Sequence, residues 1–312
     1  MRDTSRQHEL KTRAQALAHA LPPLLLAAER VAEIVMHGVH GRRRSGPGDE
    51  FWQYRQHVPG DAASSIDWRR SARAQRLFVR ETEWMAASSL WLWVQMDAGM
   101  GWKSHLAAVE KGERALLLAL ALARLAQRAG ERVAALGGPL KPDHTRAAWE
   151  RLAAWWMQRL AAVGAGDVPA DDEDAALPPL QRLPRFSSVV LMGDFFAAPE
   201  ALKQRMARLA EGGVRGHLLQ VVDPAEEVFP FEGRVRFADM RGEHSFLSER
   251  AEDLRSEYAG RLAALREDLA AQAKRLGWTF QVHRTDQPPQ QALLALFARL
   301  QDAPILAHAE VA

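Results

Sequence analysis

The sequence predicts an α/β fold with an open, mainly parallel sheet flanked by helices on both faces, of the Rossmann type. Two observations carry that prediction. Short apolar stretches, LWLWV at 90–94, VVLMG at 189–193 and LLQVV at 218–222, recur with helical patterns between them, the alternation that builds parallel sheets. The first two stretches are apolar at consecutive positions rather than alternate ones, as in strands covered on both faces.

The elements follow in order. Helical spacing runs over 8–38 around Pro22-Pro23, and GRRRSGPGDE at 41–50 is an exposed, turn-rich segment. Strands are expected over 76–84 and 88–96. A helix over 107–129 closes at Gly130, the short strand RVAAL follows, and a tryptophan-rich helix spans 145–163. The acidic, Pro-containing loop of 164–179 is solvated. Beyond it come the strand around 189–193, a crossover helix over 199–213, a strand over 216–223, a long charged helix over 248–276 ending at Gly277, a last strand in WTFQVHRTD and a closing helix in QQALLALFARL. Trp149, Trp155 and Trp156 have helical spacing suited to packing. The organisation expected is an N-terminal helical segment (1–40), an arginine-rich segment packed on the main domain (41–85), the sheet domain (86–303) and a C-terminal tail (304–312).

Composition narrows the function classes. Of 312 residues, 47% are hydrophobic and 26% charged, with 41 basic against 39 acidic side chains; this is ordinary globular chemistry, and bulk charge says little about nucleic acid. The absence of cysteine removes disulfides, thiolate metal sites and a cysteine nucleophile. The longest apolar run, 115–123, is bounded by Arg114 and Arg124 and is much shorter than the ~20 residues a membrane span needs. No membrane span is expected, the N-terminus reads poorly as a signal peptide, and a cytoplasmic location is expected. GMGWKS lacks the spacing of a phosphate loop, no GxSxG accompanies His283 and Asp286, and His37 and His40 have no third zinc ligand nearby in sequence.

In open α/β sheets ligands bind beyond the carboxyl ends of the strands. Asp97 follows LWVQM and Asp194 follows VVLMG, so adjacent parallel strands would bring both carboxylates to one edge. Each also suits the N-cap of whatever follows it, and the residues alone leave both readings open. A second informative region is 41–80, where nine arginines, Arg42, Arg43, Arg44 and Arg55 among them, face four acids, Asp49, Glu50, Asp61 and Asp67, with Phe51, Trp52, Tyr54 and Trp68 interleaved. Arginine with aromatics serves protein interfaces and single-stranded nucleic acid alike. In the structural reading, Glu50, Asp61 and Asp67 pair with arginines, Gly60 makes a turn, and Arg42, Arg43 and Arg44 form an exposed contact.

Asp97 followed by Gly99 and Gly101, with GDFF at 193–196, resembles a von Willebrand factor A domain whose metal-ion-dependent adhesion site has lost its serines. The segment GPGDEFWQYRQHVPGDAASSIDWRRSAR at 46–73 resembles the signature of the DUF58 family, and 221–242 and 283–300 are similar to that family's later blocks. The resemblance implies a von Willebrand A-like fold and a non-enzymatic adaptor or chaperone-like role beside a MoxR-type AAA+ ATPase. It also implies a signature surface that includes Arg42, Arg43, Arg44, Glu50, Phe51, Tyr54, Arg55, Gly60, Asp61, Ile66, Asp67, Trp68 and Arg73. Gly99 and Gly101 supply no hydroxyl oxygens, so no cofactor is expected beyond Mg²⁺ held weakly by Asp97 and Asp194, and the glycines are expected to let the backbone turn tightly. Nucleic-acid binding through 41–80 and metal-dependent ligand binding at the aspartates are the alternatives.

Overall fold

A computed structural model describes residues 21–36, 45–58, 66–73, 76–83, 89–164, 176–185, 187–238 and 245–301. The chain divides into two compact units: Val39–Ser88, and Met1–Gly38 together with Ser89–Ala312.

In the larger unit, helix α1 (residues 21–36) precedes strand β3 (Ser89–Val94), and α3 (Lys111–Arg128), β4 (Arg132–Ala135), α4 (Arg146–Gly164) and β5 (Ser188–Gly193) follow. Next come α5 (Pro199–Ala210), β6 (Arg215–Val222), α6 (Pro224–Val228) and a ribbon of β7 (Val235–Ala238) and β8 (Ser245–Ser248). Helix α7 (Arg255–Arg275), β9 (Thr279–Arg284) and α8 (Pro289–Gln301) complete it. Five strands form one sheet in the order β4-β3-β5-β6-β9, and every pairing is parallel. The α/β sheet expected from the apolar runs is therefore present.

Its central strands β3, β5 and β6 are buried on both sides. Trp91, Trp93, Val189, Leu191 and Leu218 point to one face and form a core with Leu202, Met206 and Leu209 of α5 and Leu269 and Ala273 of α7. Residues of the other parity, such as Leu90, Leu92, Val190 and Leu219, are fully buried on the opposite face. Helix α3 contacts β3, β4, β5 and β6 as well as α4 and α8. Its ALLLALALA run is buried except at Leu117, which is why it is so apolar without approaching a membrane-spanning length. Among the described residues no helix is long and apolar enough to cross a membrane. Trp149 and Trp156 are buried, and Trp149 Nε1 donates to Leu120 O (3.0 Å), so these tryptophans fill core. Helix α1 buries Ala28, Val31, Ala32 and Val35. Its Glu29 pairs with Arg124 at 3.4 Å and with Arg128 and Arg146 at 3.7 Å, joining α1 to α3 and α4.

Several expectations shift. The helix expected over 107–129 begins at Lys111, and the one expected over 248–276 begins at Arg255 after a separate 3-10 turn, Ala251–Leu254. The β7–β8 ribbon and α6 were not anticipated.

The smaller unit is an antiparallel ribbon of β1 (Ser45–Gln56) and β2 (Phe78–Glu83) with the short helix α2 (Trp68–Ser71) between them in sequence. The reading of 41–50 as a turn-rich segment is corrected from Ser45 onward. Glycines and Pro47 there are accommodated in a strand whose register shifts between Ser45 and Glu50 and again between Phe51 and Gln53, the irregularity that lets such residues occur in a ribbon.

Candidate functional site at the carboxyl ends of the central strands

With its five strands numbered in sequence order, the sheet reads 2-1-3-4-5. Strands β3 and β5 lie side by side, but the chain leaves β3 toward one edge and continues from β5 toward the other. The loops after them diverge and leave a crevice, the place where doubly wound sheets bind ligands. Asp97 stands just past the end of β3 and Asp194 directly after β5, so the two carboxylates predicted to meet do meet.

They are held together by neutral and cationic donors. Gln95 continues the β3–β5 ladder, its N–H donating to Met192 O (2.8 Å). Its side-chain amide then donates to both Asp97 Oδ2 (2.7 Å) and Asp194 Oδ1 (3.0 Å). Its Oε1 accepts from Phe195 N (3.1 Å), so all of that buried amide's roles are used. Gly193 makes the arrangement sterically feasible: a Cβ there would lie 2.2 Å from Gln95 Oε1 and 2.6 Å from its Cβ.

The second donor is Lys111, the first residue of α3, which is only 2% exposed. Its Nζ donates to Asp194 Oδ2 at 2.8 Å and to Glu226 Oε1 at 2.5 Å, with the rings of Phe196 and Trp102 at 5.3 and 5.8 Å. Burial by itself would lower the lysine's pKa, but Asp194 and Glu226 outweigh it and hold the ammonium above its ordinary value. Glu226 is fixed by a capping box at the start of α6: its Oε2 accepts from Asp223 N (2.8 Å), and Asp223 Oδ1 accepts from Ala225 N (2.8 Å). Asp223 also takes Ser104 N (2.8 Å) and Ser104 Oγ (2.5 Å), tying the loop before α3 to the end of β6.

Asp97 is different. Its Oδ1 caps the 3-10 turn Ala98–Gly101 by accepting from Met100 N (3.2 Å), so the N-cap role and the meeting with Asp194 hold together. Burial, and then the nearby Asp194 charge, push its carboxyl above the usual carboxylate range. Asp194, by contrast, accepts from Phe196 N (3.2 Å) and caps no helix, since α5 starts only at Pro199.

Above these groups opens a cavity of about 700 Å³. Asp97, Lys111, Asp194 and Glu226 lie in it, with Trp102, Phe196, Phe229, Phe231, Phe237 and Tyr258 as aromatic walls. Phe229 organises the far wall, with ring centroids 4.9 Å from Tyr258, 5.2 Å from Phe231 and 5.8 Å from Phe237.

The donor set does not suit a divalent ion. A Cβ at Gly99 would lie 3.3 Å from both Asp194 Oδ2 and Asp97 Oδ1, so a serine there would put its hydroxyl beside the carboxylates, and the glycine leaves that oxygen out. Thr145, the one threonine in the intervening sequence, accepts from Ala148 N and donates to Asp143 Oδ2 at the start of α4. The position a cation would take beside Asp194 is met instead by the Lys111 ammonium, and among the described residues no group of three or more His, Asp or Glu is arranged to hold a metal. The conformational reason given for the glycines is corrected: neither Gly99 nor Gly101 has a positive φ, and what Gly99 provides is space between two carboxylates.

The signature residues are placed unevenly. Arg42, Arg43, Arg44, Gly60 and Asp61 lie outside the described residues. On β1, Glu50, Phe51, Tyr54 and Arg55 oppose Glu83, Thr82, Arg80 and Val79. Asp67 caps α2, accepting from Arg70 N (2.9 Å), while its own N–H donates to Phe78 O (2.8 Å). Ile66 bridges to Val79, Arg73 is exposed and Trp68 is 62% exposed.

Sequence reasoning missed Gln95, Lys111, Glu226 and the aromatic wall. Two of them had a signal: DPAE at 223–226 has the spacing of a capping box, and Gln95 is a polar residue within an otherwise apolar strand end. Lys111 had none, since one lysine before an apolar helix is ordinary.

The comparison with known families agrees with the signature. The chain is 28% identical over 279 residues to uncharacterized proteins of Mycobacterium bovis and Mycobacterium tuberculosis, covering 87% of this chain and 86% of each of those. Among solved structures, the conserved hypothetical protein BatB from Bacteroides thetaiotaomicron matches at a TM-score of 0.37 with 14% identity. An aerotolerance-related membrane protein from Bacteroides fragilis matches at 0.32 with 14% identity. Each match covers 69% of this chain and all of that one. The model of the family described as a protein of unknown function, DUF58, matches residues 53–268, well over half of the chain, and the chain belongs to that family.

Proposed function

We propose that this chain is a non-enzymatic protein-interaction module that uses the crevice at the β3/β5 switch point to hold a partner. A MoxR-type AAA+ ATPase is the partner implied by the family resemblance. The observation that carries this reading is the character of the crevice. It is a roomy, aromatic-walled cavity at the ligand-binding edge of the sheet, and on its floor Lys111 is already paired internally with Asp194 and Glu226. Among the described residues its lining contains no serine, threonine, cysteine or histidine. Lys111, the one amine, is buried, charged and committed to two carboxylates, which withholds the lone pair a nucleophile or base would need. Aromatic walls beside a few fixed polar groups suit recognition.

The test is a titration of the purified protein with a purified MoxR-type AAA+ ATPase from the same organism, comparing wild type with Phe231→Ser and Phe237→Ser. The expected result is a complex weakened roughly tenfold or more by each change, as for aromatic anchors at interface centres. A complex of unchanged affinity would remove the crevice from the interface, and no complex at all would remove this partner.

A further inference from the structure

The crevice floor is unequally compensated. Lys111 is shared between Asp194 and Glu226, and Asp223 is consumed by Ser104 and Ala225 N. Asp97 receives hydrogen bonds only from the neutral amide of Gln95 and the backbone N–H of Met100; Lys111 acts on it through space, and no lysine or arginine among the described residues forms an ion pair with it. A carboxylate has about four acceptor positions, so Asp97, half-buried and lining the cavity, retains capacity directed at whatever enters. Among the described lining residues, three carboxylates face one ammonium, and Arg236 is the only further cation. Arg236 stands exposed on β7 with its Nη2 donating to Ser245 Oγ (3.0 Å), so the formal charge of these described groups is negative even with it included. Six aromatic rings surround this charge, and Lys111 itself shows that the site tolerates an ammonium near ring faces. Aromatic walls around a carboxylate are the chemistry that recognises organic cations.

We infer that the crevice receives a lysine or arginine side chain presented by the partner polypeptide, with Asp97 as its carboxylate and the rings of Phe196, Phe229, Phe231 and Tyr258 as its walls. This rests on the crevice being the interaction site and adds the sign of the ligand. A site built on a divalent cation would attract an acidic group from the ligand; here an internal ammonium replaces that cation, the leftover charge is negative, and the preferred ligand charge is inverted.

The probes are N-acetyl-arginine amide, N-acetyl-lysine amide and N-acetyl-glutamate amide, added at millimolar concentration to the full chain and followed by ligand-observed saturation-transfer NMR. The variants are Asp97→Asn, which keeps the Met100 cap, and Phe231→Ala, which leaves the floor intact. Expected are signals from the two cationic probes and none from glutamate. Asp97→Asn should weaken binding by roughly tenfold or more, as for a lost charged hydrogen bond, and Phe231→Ala by about two- to fivefold, as for one ring facing a cation. Glutamate binding as well as arginine, or cationic probes binding Asp97→Asn as tightly as wild type, overturns the inference. Silence from all three probes while Phe231→Ser still abolishes the ATPase complex also overturns it and leaves the crevice as the interface. Cationic binding as expected, beside an ATPase complex indifferent to Phe231→Ser, supports the inference and removes the partner reading instead.

Discussion

The two ends of the central sheet are built from different chemistry. At the amino end the buried polar groups are neutral and close on one another: Ser89 Oγ and Ser187 Oγ share a hydrogen bond of 2.8 Å, Trp91 Nε1 donates to Ser89 Oγ (3.0 Å), and Trp278 Nε1 donates to Val214 O (3.1 Å). At the carboxyl end the same two strands terminate in Asp97, Asp194 and the Lys111 ammonium. A buried neutral hydrogen bond is satisfied locally and asks nothing of a ligand, whereas buried charge must be paired, and pairing that is incomplete leaves capacity for a partner. In the function proposed above, that is the difference between an end that closes the fold and an end that binds.

The sharpest way to break that comparison is to remove the cation. Lys111→Met keeps the length and packing of the side chain but leaves Asp194 and Glu226 facing each other without a counter-charge. Breaking one partner of a buried ion pair costs about 3–5 kcal/mol. For a domain of this size that is a loss of melting temperature on the order of 10 °C, measured by thermal unfolding. Adding Asp194→Asn should recover part of the loss, because one of the two uncompensated carboxylates is then gone and Glu226 no longer faces a like charge, and the double-mutant cycle measures the coupling. A Lys111→Met protein as stable as wild type would mean that the carboxyl end is held by packing alone.

How much of this was legible beforehand follows the same division. Each of the five sheet strands could be read from the sequence: the central ones because a strand buried on both faces leaves an apolar run that depends on nothing distant, and β9, a half-buried edge strand, from its place between a long helix ending at Gly277 and a closing helical pattern. Asp97 and Asp194 were legible too, since a residue just past such a run must lie at the sheet's carboxyl edge. Lys111 was not: its role depends on the turn at Ala98–Gly101 and the loop to Ser104 bringing the first residue of α3 against Asp194, which lies 83 residues later. The β7–β8 ribbon escaped for a related reason. Its VRFA segment alternates half-buried and exposed residues and its SFLS segment is exposed up to Ser248, too short and too exposed for periodicity to register.

Histidines on the β6–β9 pair test whether burial alone, away from the crevice charges, produces a pH response. His217 pairs with Thr279 at the start of β9, and His283 lies opposite Val221 nearer the carboxyl end. Both are depressed from 6.5 to about 4, His217 by burial and then by Arg299 and Arg215, His283 by burial and then by Arg114. The unfolded chain therefore binds more protons than the folded one between about 6.5 and 4. Stability is fully present above 6.5 and lost as the pH falls through that window, by up to about 3 kcal/mol for each histidine. Denaturant unfolding at a series of pH values should give a curve that flattens when either His217→Gln or His283→Gln is introduced. Similar flattening at both positions would show that this response follows burial and not the end of the sheet. Flattening at His283 alone would tie it to the charged end.

The smallest effect belongs to the amino end. Ser187→Ala removes one hydroxyl from the Ser89–Ser187 pair, yet Ser89 Oγ still accepts from Trp91 Nε1, so no acceptor is stranded. The expected cost is about 1 kcal/mol, that of one neutral hydrogen bond, or a few degrees of melting temperature. Replacing Ser89 as well should cost less than the sum of the single changes, because both singles break the same Ser89–Ser187 bond and the Trp91 indole N–H already loses its acceptor in the Ser89 change alone. Cationic-probe binding at the crevice should be unchanged in Ser187→Ala, since the lost bond lies at the far end of β3 and β5. A Ser187→Ala variant that lost probe binding, or lost more stability than Lys111→Met, would mean that the two ends of these strands do not act as separate regions.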